Sequence, residues 1–234
     1  YPFEQSIGAW VAFGLTSVWI GRRYYFRIIH HIFGRQQLID DSREPIKYQL
    51  AFLIAILGII FLTLFCFYAG MSPWVIVLFF LIYFPMVIAI TRSRAEIGPP
   101  VHTLIYVDPG RTLVTTLGTR LLGPANLTVL TYLYPLNRCF RANPMPSELE
   151  AFRIAERTGI GYRQMLIGIM VAIVFGIFFT FWIYLHVMYD LGATNKARGW
   201  IGYMGWETFN RLQAWLVHPR DPNTAEMGGI ATGF

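Results

Sequence analysis

The sequence predicts an all-α, polytopic integral membrane protein with four membrane spans and the start of a fifth. Of its 234 residues, 55% are hydrophobic and only 14% are charged, whereas a typical soluble domain has about 25% charged residues. The apolar residues are gathered in long runs, and the basic residues flank those runs. The net charge of +6 therefore indicates loops on one side of a membrane rather than a nucleic-acid-binding surface.

The first predicted span covers residues 3–21. This run is just long enough to cross a bilayer, and its small residues, Gly8 and Gly14 among them, would let a neighbouring helix approach closely. In the loop that follows, residues 22–47, basic and aromatic side chains alternate in a way that suits the headgroup layer. The adjacent pair His30-His31 does not predict a metal site, because neighbouring residues on a helix point about 100° apart.

The second and third spans, residues 48–70 and 73–91, form an antiparallel hairpin. Only Met71-Ser72 separates them, which leaves room for nothing but a tight reversal, and Pro73 suits the first turn of a helix. Pro85 removes one backbone hydrogen bond within the third span and predicts a kink there.

The third span ends in a charged stretch, residues 91–100, that carries two arginines and a glutamate before Gly98 and two prolines. Gly98 and the prolines predict the end of the helix. Charge next to hydrocarbon is costly, so these side chains should lie at the interface or face a protected, wet interior. The stretch opens the intervening region, residues 98–163.

The intervening region mixes polar and apolar sequence in a way that simple loops do not. Residues 101–107 are expected to be extended and to end in a turn at Asp108-Pro109-Gly110. Leu113, Leu117 and Leu121 predict a short helix that Gly123-Pro124 stops. Residues 126–134 are apolar but too short to span, so they form a helix that is either re-entrant or packed against the spans.

A further helix in this region is predicted to begin near Pro146. Ser147 and Glu150 have the spacing of a capping box, and Gly159 should end the helix. The fourth span follows at residues 165–189. After it, Trp206 begins an expected surface helix with aromatic residues typical of an interface.

The ends of the sequence suggest a piece of a longer chain. It begins at Tyr1, and residues 228–234 look like the opening of another apolar segment. We therefore expect residues 1–234 to be a single membrane domain whose partners are the lipid bilayer and the remainder of its own chain.

The distribution of Lys and Arg predicts the orientation. Counted from the sequence, six lie in residues 22–47, nine in residues 92–163 and none in the hairpin reversal. Loops 22–47 and 92–164 are therefore expected on the cytoplasmic side.

Four residues are the candidates for a transport site: Arg94, Glu96, Arg120 and Asn126. Arg94 could hold a carboxylate of a solute bidentately, and Glu96 could accept a coupling proton if burial raised its pKa. Arg120 and Asn126 flank the short apolar helix. The alternative for Glu96 is a simple salt bridge with Arg92, four residues earlier on the same helix. The two cysteines, Cys66 and Cys139, form no metal motif and no expected disulfide.

Several short motifs occur in order along the chain: residues 43–48 (REPIKY), 91–100 (TRSRAEIGPP), 117–120 (LGTR), 122–128 (LGPANLT), 143–146 (NPMP) and 150–152 (EAF). In these motifs the chain resembles a family of uncharacterised bacterial membrane proteins that is similar to the oligopeptide transporter superfamily. The resemblance implies a location in the bacterial inner membrane and, by analogy only, the transport of a peptide or a metal chelate.

Two functions remain open from the sequence. The first is a secondary transporter of a small solute. The second is a non-catalytic accessory subunit that packs in a larger membrane complex through its aromatic spans. A homo-oligomer without other polypeptides would fit the first function. An enzyme is not expected, because no nucleophile motif, His-rich metal constellation or phosphate-binding glycine loop is present, and no cofactor is expected either.

Overall fold

A computed structural model describes residues 2–34, 40–42, 44–98, 103–104, 107–138, 140–141, 143–192 and 200–234. Within these ranges all regular structure is helical and no strand occurs, as the sequence predicts. The helices are α1 (Pro2–Phe33), α2 (Tyr48–Tyr68), α3 (Pro73–Ile97), α4 (Pro109–Asn137), α5 (Met145–Thr158), α6 (Tyr162–Leu191), α7 (Trp200–Val217) and α8 (Thr224–Gly233). Most of the expected extended segment 101–107 lies outside the described residues. Cys139 lies outside them as well.

Three helices are long and apolar enough to cross a membrane: α2, α3 and α6. They contain the predicted second, third and fourth spans. The residues of α6 are nowhere buried against the rest of the protein, and α2 buries only Cys66. A helix that is apolar all round and still uncovered needs an apolar surrounding, so these faces are suited to lipid or to other apolar helices.

The first predicted span lies within α1, which is less apolar and does not belong to that group of three. This helix instead packs along α3 and α8 at very short distances. A Cβ atom added to Gly14 would lie 2.1 Å from the Pro85 carbonyl oxygen, and one added to Gly8 would lie 2.0 Å from the Ile230 carbonyl oxygen. The small residues of α1 thus bring it close to its neighbours, as the sequence predicts.

Two buried apolar clusters hold the helices together. One joins the beginning of α3 to α4 and α7 through residues such as Ile76, Leu130 and Trp215. The other joins α1 to the second half of α3 through Ile7, Met86 and neighbouring side chains. The second half of the chain is therefore joined to the apolar hairpin through α4 and, by the ion pair between Arg94 and Glu150, through α5.

Helix α4 is interrupted twice, and the breaks correct the predicted leucine stripe. Gly118 (φ 76°, ψ 159°) and Gly123 (φ 74°, ψ 164°) both leave the helical conformation. Because the first break turns the chain, Leu113 is buried whereas Leu121 is 64% exposed. The apolar segment 126–134 forms the last part of the same element, which continues past Pro135 to Asn137.

The predicted capping box of α5 is wrong. The helix begins earlier, at Met145, whose N–H donates to Asn143 Oδ1 at 3.1 Å, and the N-cap position is Pro144. Ser147 consequently lies inside the first turn and caps nothing. The helix ends as predicted, at Gly159, in the left-handed conformation (φ 75°).

Candidate binding cavity

A charged cavity of about 330 Å³ lies between α4, α7, α8 and the connecting segment 218–223. Its floor and walls carry acidic, basic and aromatic side chains together. The charged residues that line it are Asp108, Arg111, Glu207, Arg211, Arg220, Asp221 and Glu226. Because these charged side chains converge on one cavity, it is well equipped to bind a polar solute.

Asp108 is the most deeply buried charged group of the cavity, with a relative exposure of 2%. It is the N-cap residue of α4, where its Oδ1 accepts a hydrogen bond from the Gly110 N–H at 2.9 Å. Its other oxygen, Oδ2, has no hydrogen-bond partner and lies 3.5 Å from Arg211 Nη1. Burial raises the pKa of Asp108, although Arg211 and the N–H groups of Gly110 and Arg111 act in the opposite direction.

Arg211 is held by aromatic rings. Its guanidinium carbon lies 3.7 Å from the centre of the Tyr134 ring and 5.0 Å from the centre of the Trp215 ring. Its buried Nε makes no hydrogen bond. The cation is therefore positioned by stacking on these two rings. It lines the cavity beside Asp108, and part of its hydrogen-bonding capacity is unused.

Beside this pair, Glu207 is fully engaged by two neighbours. Arg138 Nη2 lies 2.8 Å from Glu207 Oε2, and the Tyr134 hydroxyl donates to Glu207 Oε1 at 2.8 Å. Arg138 Nε also donates to the Tyr134 oxygen at 3.1 Å. Burial and the hydrogen bond to Glu207 raise the pKa of Tyr134 to about 12. This network neutralises Glu207 and fixes the ring on which Arg211 stacks.

Segment 218–223 closes the cavity by binding to the interrupted part of α4. The Thr119 N–H donates to the Arg220 carbonyl at 2.9 Å, and the Arg220 N–H donates to Thr119 Oγ1 at 2.7 Å. The Asn223 N–H donates to the Thr115 carbonyl at 3.1 Å. Gly118 is required here, because a Cβ atom at its positive φ would lie 2.8 Å from the Arg220 carbonyl oxygen.

Two outer contacts complete the surroundings of the cavity. Arg111 Nη2 donates to Glu4 Oε1 of α1 at 3.3 Å. Glu226 of α8 accepts a hydrogen bond from the Thr115 hydroxyl at 3.1 Å. Charged side chains from α1, α4, α7 and α8 are thus linked around one space.

Of the residues proposed from the sequence, Arg94 and Glu96 lie away from this cavity. Arg94 is already bound bidentately by Glu150 of α5, with distances of 2.5 Å from Nε to Oε1 and 3.0 Å from Nη2 to Oε2. Arg94 and Glu150 line a second, wider cavity of about 810 Å³ near the end of α3. Glu96 is 54% exposed and accepts from Arg92 Nε at 2.6 Å, so the structure has the i,i+4 pair that was the alternative for this residue.

The other two candidates are also separate from each other. Arg120 is exposed and lies 3.7 Å from Asp221 at the edge of the charged cavity. Asn126 is buried: its Oδ1 accepts from the Ser72 N–H at 2.7 Å, and its Nδ2 donates to the Ser72 hydroxyl at 3.1 Å and to the Leu122 carbonyl at 2.6 Å. Its side chain is thus occupied in joining α4 to the start of α3.

Sequence reasoning missed the central residues of the cavity, Asp108 and Arg211. Asp108 was interpreted as part of a turn, although an Asp followed by Pro is also typical of a helix N-terminus. Arg211 lies in a helix that was expected on the outer surface, and nothing in its local sequence indicates that Asp108 faces it. Among the described residues no group of three or more His, Cys, Asp or Glu could hold a metal ion.

Comparison with known proteins gives one family. The profile of a family of unknown function (DUF6785) matches residues 1–234, so the chain belongs to that family. The comparison with curated proteins and the comparison with solved structures gave no match.

Proposed function

We propose that this member of the DUF6785 family is a secondary transporter of the oligopeptide-transporter-like type, which moves a small polar solute of the peptide or metal-chelate class across the bacterial inner membrane without changing it chemically. The observation that carries the proposal is the charged cavity beside the interrupted helix α4. Irregular backbone and charge are tolerated within a membrane protein where they are buried in protein or line a cavity, and transporters use such broken helices to bind their solutes.

The proposed topology has four spans and the start of a fifth. Helices α2, α3 and α6 would be three of the spans, α1 would be the first, and α8 would begin the fifth. Support for α1 comes from its length and its close packing along α3 at Gly14 and Pro85. In this arrangement loop 22–47 and the two ends of region 92–164 would face the cytoplasm. Helix α4 between those ends would be re-entrant, because Asn126 bonds to Ser72 and Thr119 bonds to Arg220, and both partners would lie on the other side of the membrane.

Arg94, Glu96, Arg120 and Asn126 would have different roles in such a transporter. Arg94 could meet a solute in its cavity only after separating from Glu150, and Glu96 is paired on the outside of α3. Arg120 would lie at the entrance of the charged cavity, and Asn126 would hold its framework. The buried pair Asp108 and Arg211 is the stronger candidate for contact with the solute.

Uptake into proteoliposomes tests this function. The full-length protein is reconstituted and given a mixture of radiolabelled short peptides and iron chelates, with an imposed proton gradient and without one. We expect saturable uptake that Arg211→Gln abolishes. Uptake that survives both Arg94→Ala and Glu96→Gln would remove these two residues from the transport site. Wild-type vesicles that accumulate no more label than empty vesicles would exclude transport of these solute classes.

A second candidate function is an accessory subunit of a larger membrane complex. The nearly uncovered faces of α2 and α6 favour it, because they offer apolar surface to other helices as readily as to lipid. Native mass spectrometry of the protein extracted from its own membranes distinguishes the two functions. A fixed stoichiometry with other polypeptides supports the subunit, whereas a monomer or homo-oligomer supports the transporter.

A further inference from the structure

Asp108 and Arg211, the two central residues of the charged cavity, satisfy only part of each other's hydrogen-bonding capacity. Asp108 Oδ2 is buried without a hydrogen bond, Arg211 Nε is buried without a hydrogen bond, and the 3.5 Å between Oδ2 and Nη1 is longer than a charge-assisted hydrogen bond. A buried charge without good hydrogen bonds is costly, and protonation relieves that cost for a carboxylate. The geometry is therefore that of a carboxylate that can take up a proton.

Arg211 does not depend on Asp108 for its position. The rings of Tyr134 and Trp215 hold its guanidinium, and Tyr134 is itself fixed by Glu207 and Arg138. Loss of the charge on Asp108 would leave the cation in place, without its closest counter-charge. A guanidinium with free N–H groups in a cavity binds planar oxyanions bidentately.

We propose that Asp108 and Arg211 form a binding site that takes a proton on Asp108 together with a small oxyanion, a carboxylate or phosphate group, on Arg211. The statement that this oxyanion belongs to the transported solute, and that the proton is the coupling ion, rests on the proposed transport function. Binding itself can be measured without transport. Proton and oxyanion bind together because the ionised Asp108 already neutralises Arg211 and repels a second anion.

The other charged groups around Asp108 are paired with one another or lie at the edge of the cavity. Glu207 of α7 is paired with Arg138, and Arg111 of α4 is paired with Glu4 of α1. At the mouth of the cavity, Asp221 lies near Arg120, and Arg220 and Glu226 also line the wall. Helix α3 meets α4 through apolar core residues such as Ile76 and Phe79. The group that burial and poor hydrogen bonding single out for protonation is thus Asp108.

Isothermal titration of the full-length protein in detergent tests the proposal. The probes are succinate and inorganic phosphate, each titrated at several values between about pH 5 and about pH 8. For at least one probe we expect the affinity to rise as pH falls, by up to about tenfold per unit where one proton is taken up with the anion. Sole binding of succinate would assign a carboxylate, and sole binding of phosphate would assign a phosphate group.

Three variants separate the two halves of the site. Asp108→Asn keeps the oxygen that caps α4 but cannot ionise, so it should bind the probe at every pH, with a pH slope smaller than that of the wild type by about one proton. Arg211→Lys keeps the charge but loses the planar fork, and should bind at least about tenfold more weakly. Asp190→Asn, which changes an exposed carboxylate at the far end of α6, should behave as the wild type.

Two results would overturn the inference: no binding of either probe by the folded wild-type protein, or an equal pH slope in the wild type and in Asp108→Asn. Because the wild type and Asp108→Asn are compared at the same pH, the effect of the probe's own ionisation on binding cancels. Infrared difference spectra give a second readout, since a protonated carboxyl band should appear on probe binding in the wild type and be absent in Asp108→Asn. Probe binding without any uptake would reject the transport function and support this binding site. Uptake together with pH-independent binding would support the transport function and reject this site.

Discussion

Asn126 joins the interrupted helix α4 to the reversal between α2 and α3 through Ser72. Its side-chain oxygen accepts from the Ser72 N–H at 2.7 Å, and its amide nitrogen donates to the Ser72 hydroxyl at 3.1 Å. Ser72 is the N-cap residue of α3, and its own side chain caps no N–H of that helix. One buried amide from a distant part of the chain therefore fixes the hairpin of apolar helices against α4.

Asn126→Leu should destabilise the protein by about 1–3 kcal/mol, because it leaves the partly buried Ser72 N–H without its acceptor. Differential scanning calorimetry in detergent measures the effect. Thr128→Ala is the matched control, since the Thr128 hydroxyl is exposed and bonds only to the Pro124 carbonyl of its own helix. Equal stability of the two variants would mean that the Asn126–Ser72 contact contributes nothing.

The ion pair between Arg94 and Glu150 should be coupled more strongly than the pair between Arg92 and Glu96. The first pair joins two helices and is bidentate, with the Arg94 side chain 15% exposed, whereas the second lies along one exposed helix face. Two double-mutant cycles, each with Ala at the basic position and Gln at the acidic one, measure the coupling from thermal unfolding. Coupling of equal size in both cycles would contradict this expectation.

Gly118→Ala should weaken the attachment of segment 218–223 to α4. The backbone of Gly118 (φ 76°, ψ 159°) lies in a region that is essentially restricted to glycine and costs another residue about 1–3 kcal/mol. The added Cβ would also lie 2.8 Å from the Arg220 carbonyl oxygen. Limited proteolysis between Val217 and Thr224 should become faster, while cleavage elsewhere is unchanged. Gly168→Ala in α6, where no atom lies within 4 Å of the added Cβ, is the control and should show the wild-type pattern.

Gly14→Ala should separate α1 from α3. The added Cβ would lie 2.1 Å from the Pro85 carbonyl oxygen, a backbone atom that cannot rotate away. We expect a loss of about 1–3 kcal/mol in the free energy of unfolding, measured by thermal unfolding in detergent. Gly58→Ala in α2, which has open space around its Cβ, should be neutral or stabilise by up to about 1 kcal/mol through helix propensity. An unchanged melting temperature for Gly14→Ala would argue against this packing.

Asp108 should make the stability of the protein fall as pH rises. Its pKa is raised in the folded protein by burial, so between the ordinary carboxyl value and the raised value the folded chain holds a proton that the unfolded chain has released. Stability therefore decreases with pH across that window, by at most about 1.4 kcal/mol per unit. The stability of Asp108→Asn minus that of the wild type should rise with pH across the window and be constant above it.

Thermal unfolding of the two proteins over a pH series checks this difference. Because every other titrating group is common to both, their contributions cancel in the subtraction. A difference that stays constant throughout the acidic range would show that Asp108 titrates in the folded protein as it does in the unfolded chain.

Composition and the length of the apolar runs are enough to predict that the protein is helical and has helices able to span a membrane. Long apolar runs must satisfy their backbone groups internally and meet an apolar surrounding, so α2, α3 and α6 follow from composition and length. Local signals also located the reversal before Pro73 and the helix ends at Gly98 and Gly159, because these depend on the conformational range of one or two residues.

Which polar groups meet depends on how the helices pack against one another. Asp108 faces Arg211, and Arg94 faces Glu150, across helices that are distant in the chain, and no periodicity or spacing within one segment encodes such a pairing. Because α4 is broken at Gly118, the predicted leucine stripe does not lie on one helix face. Segment 218–223 binds to α4 at this break. The sequence placed the candidate site at the charged end of α3, whereas the structure places the charged cavity between α4, α7 and α8. The two differ because burial and ion pairing depend on which surfaces pack together.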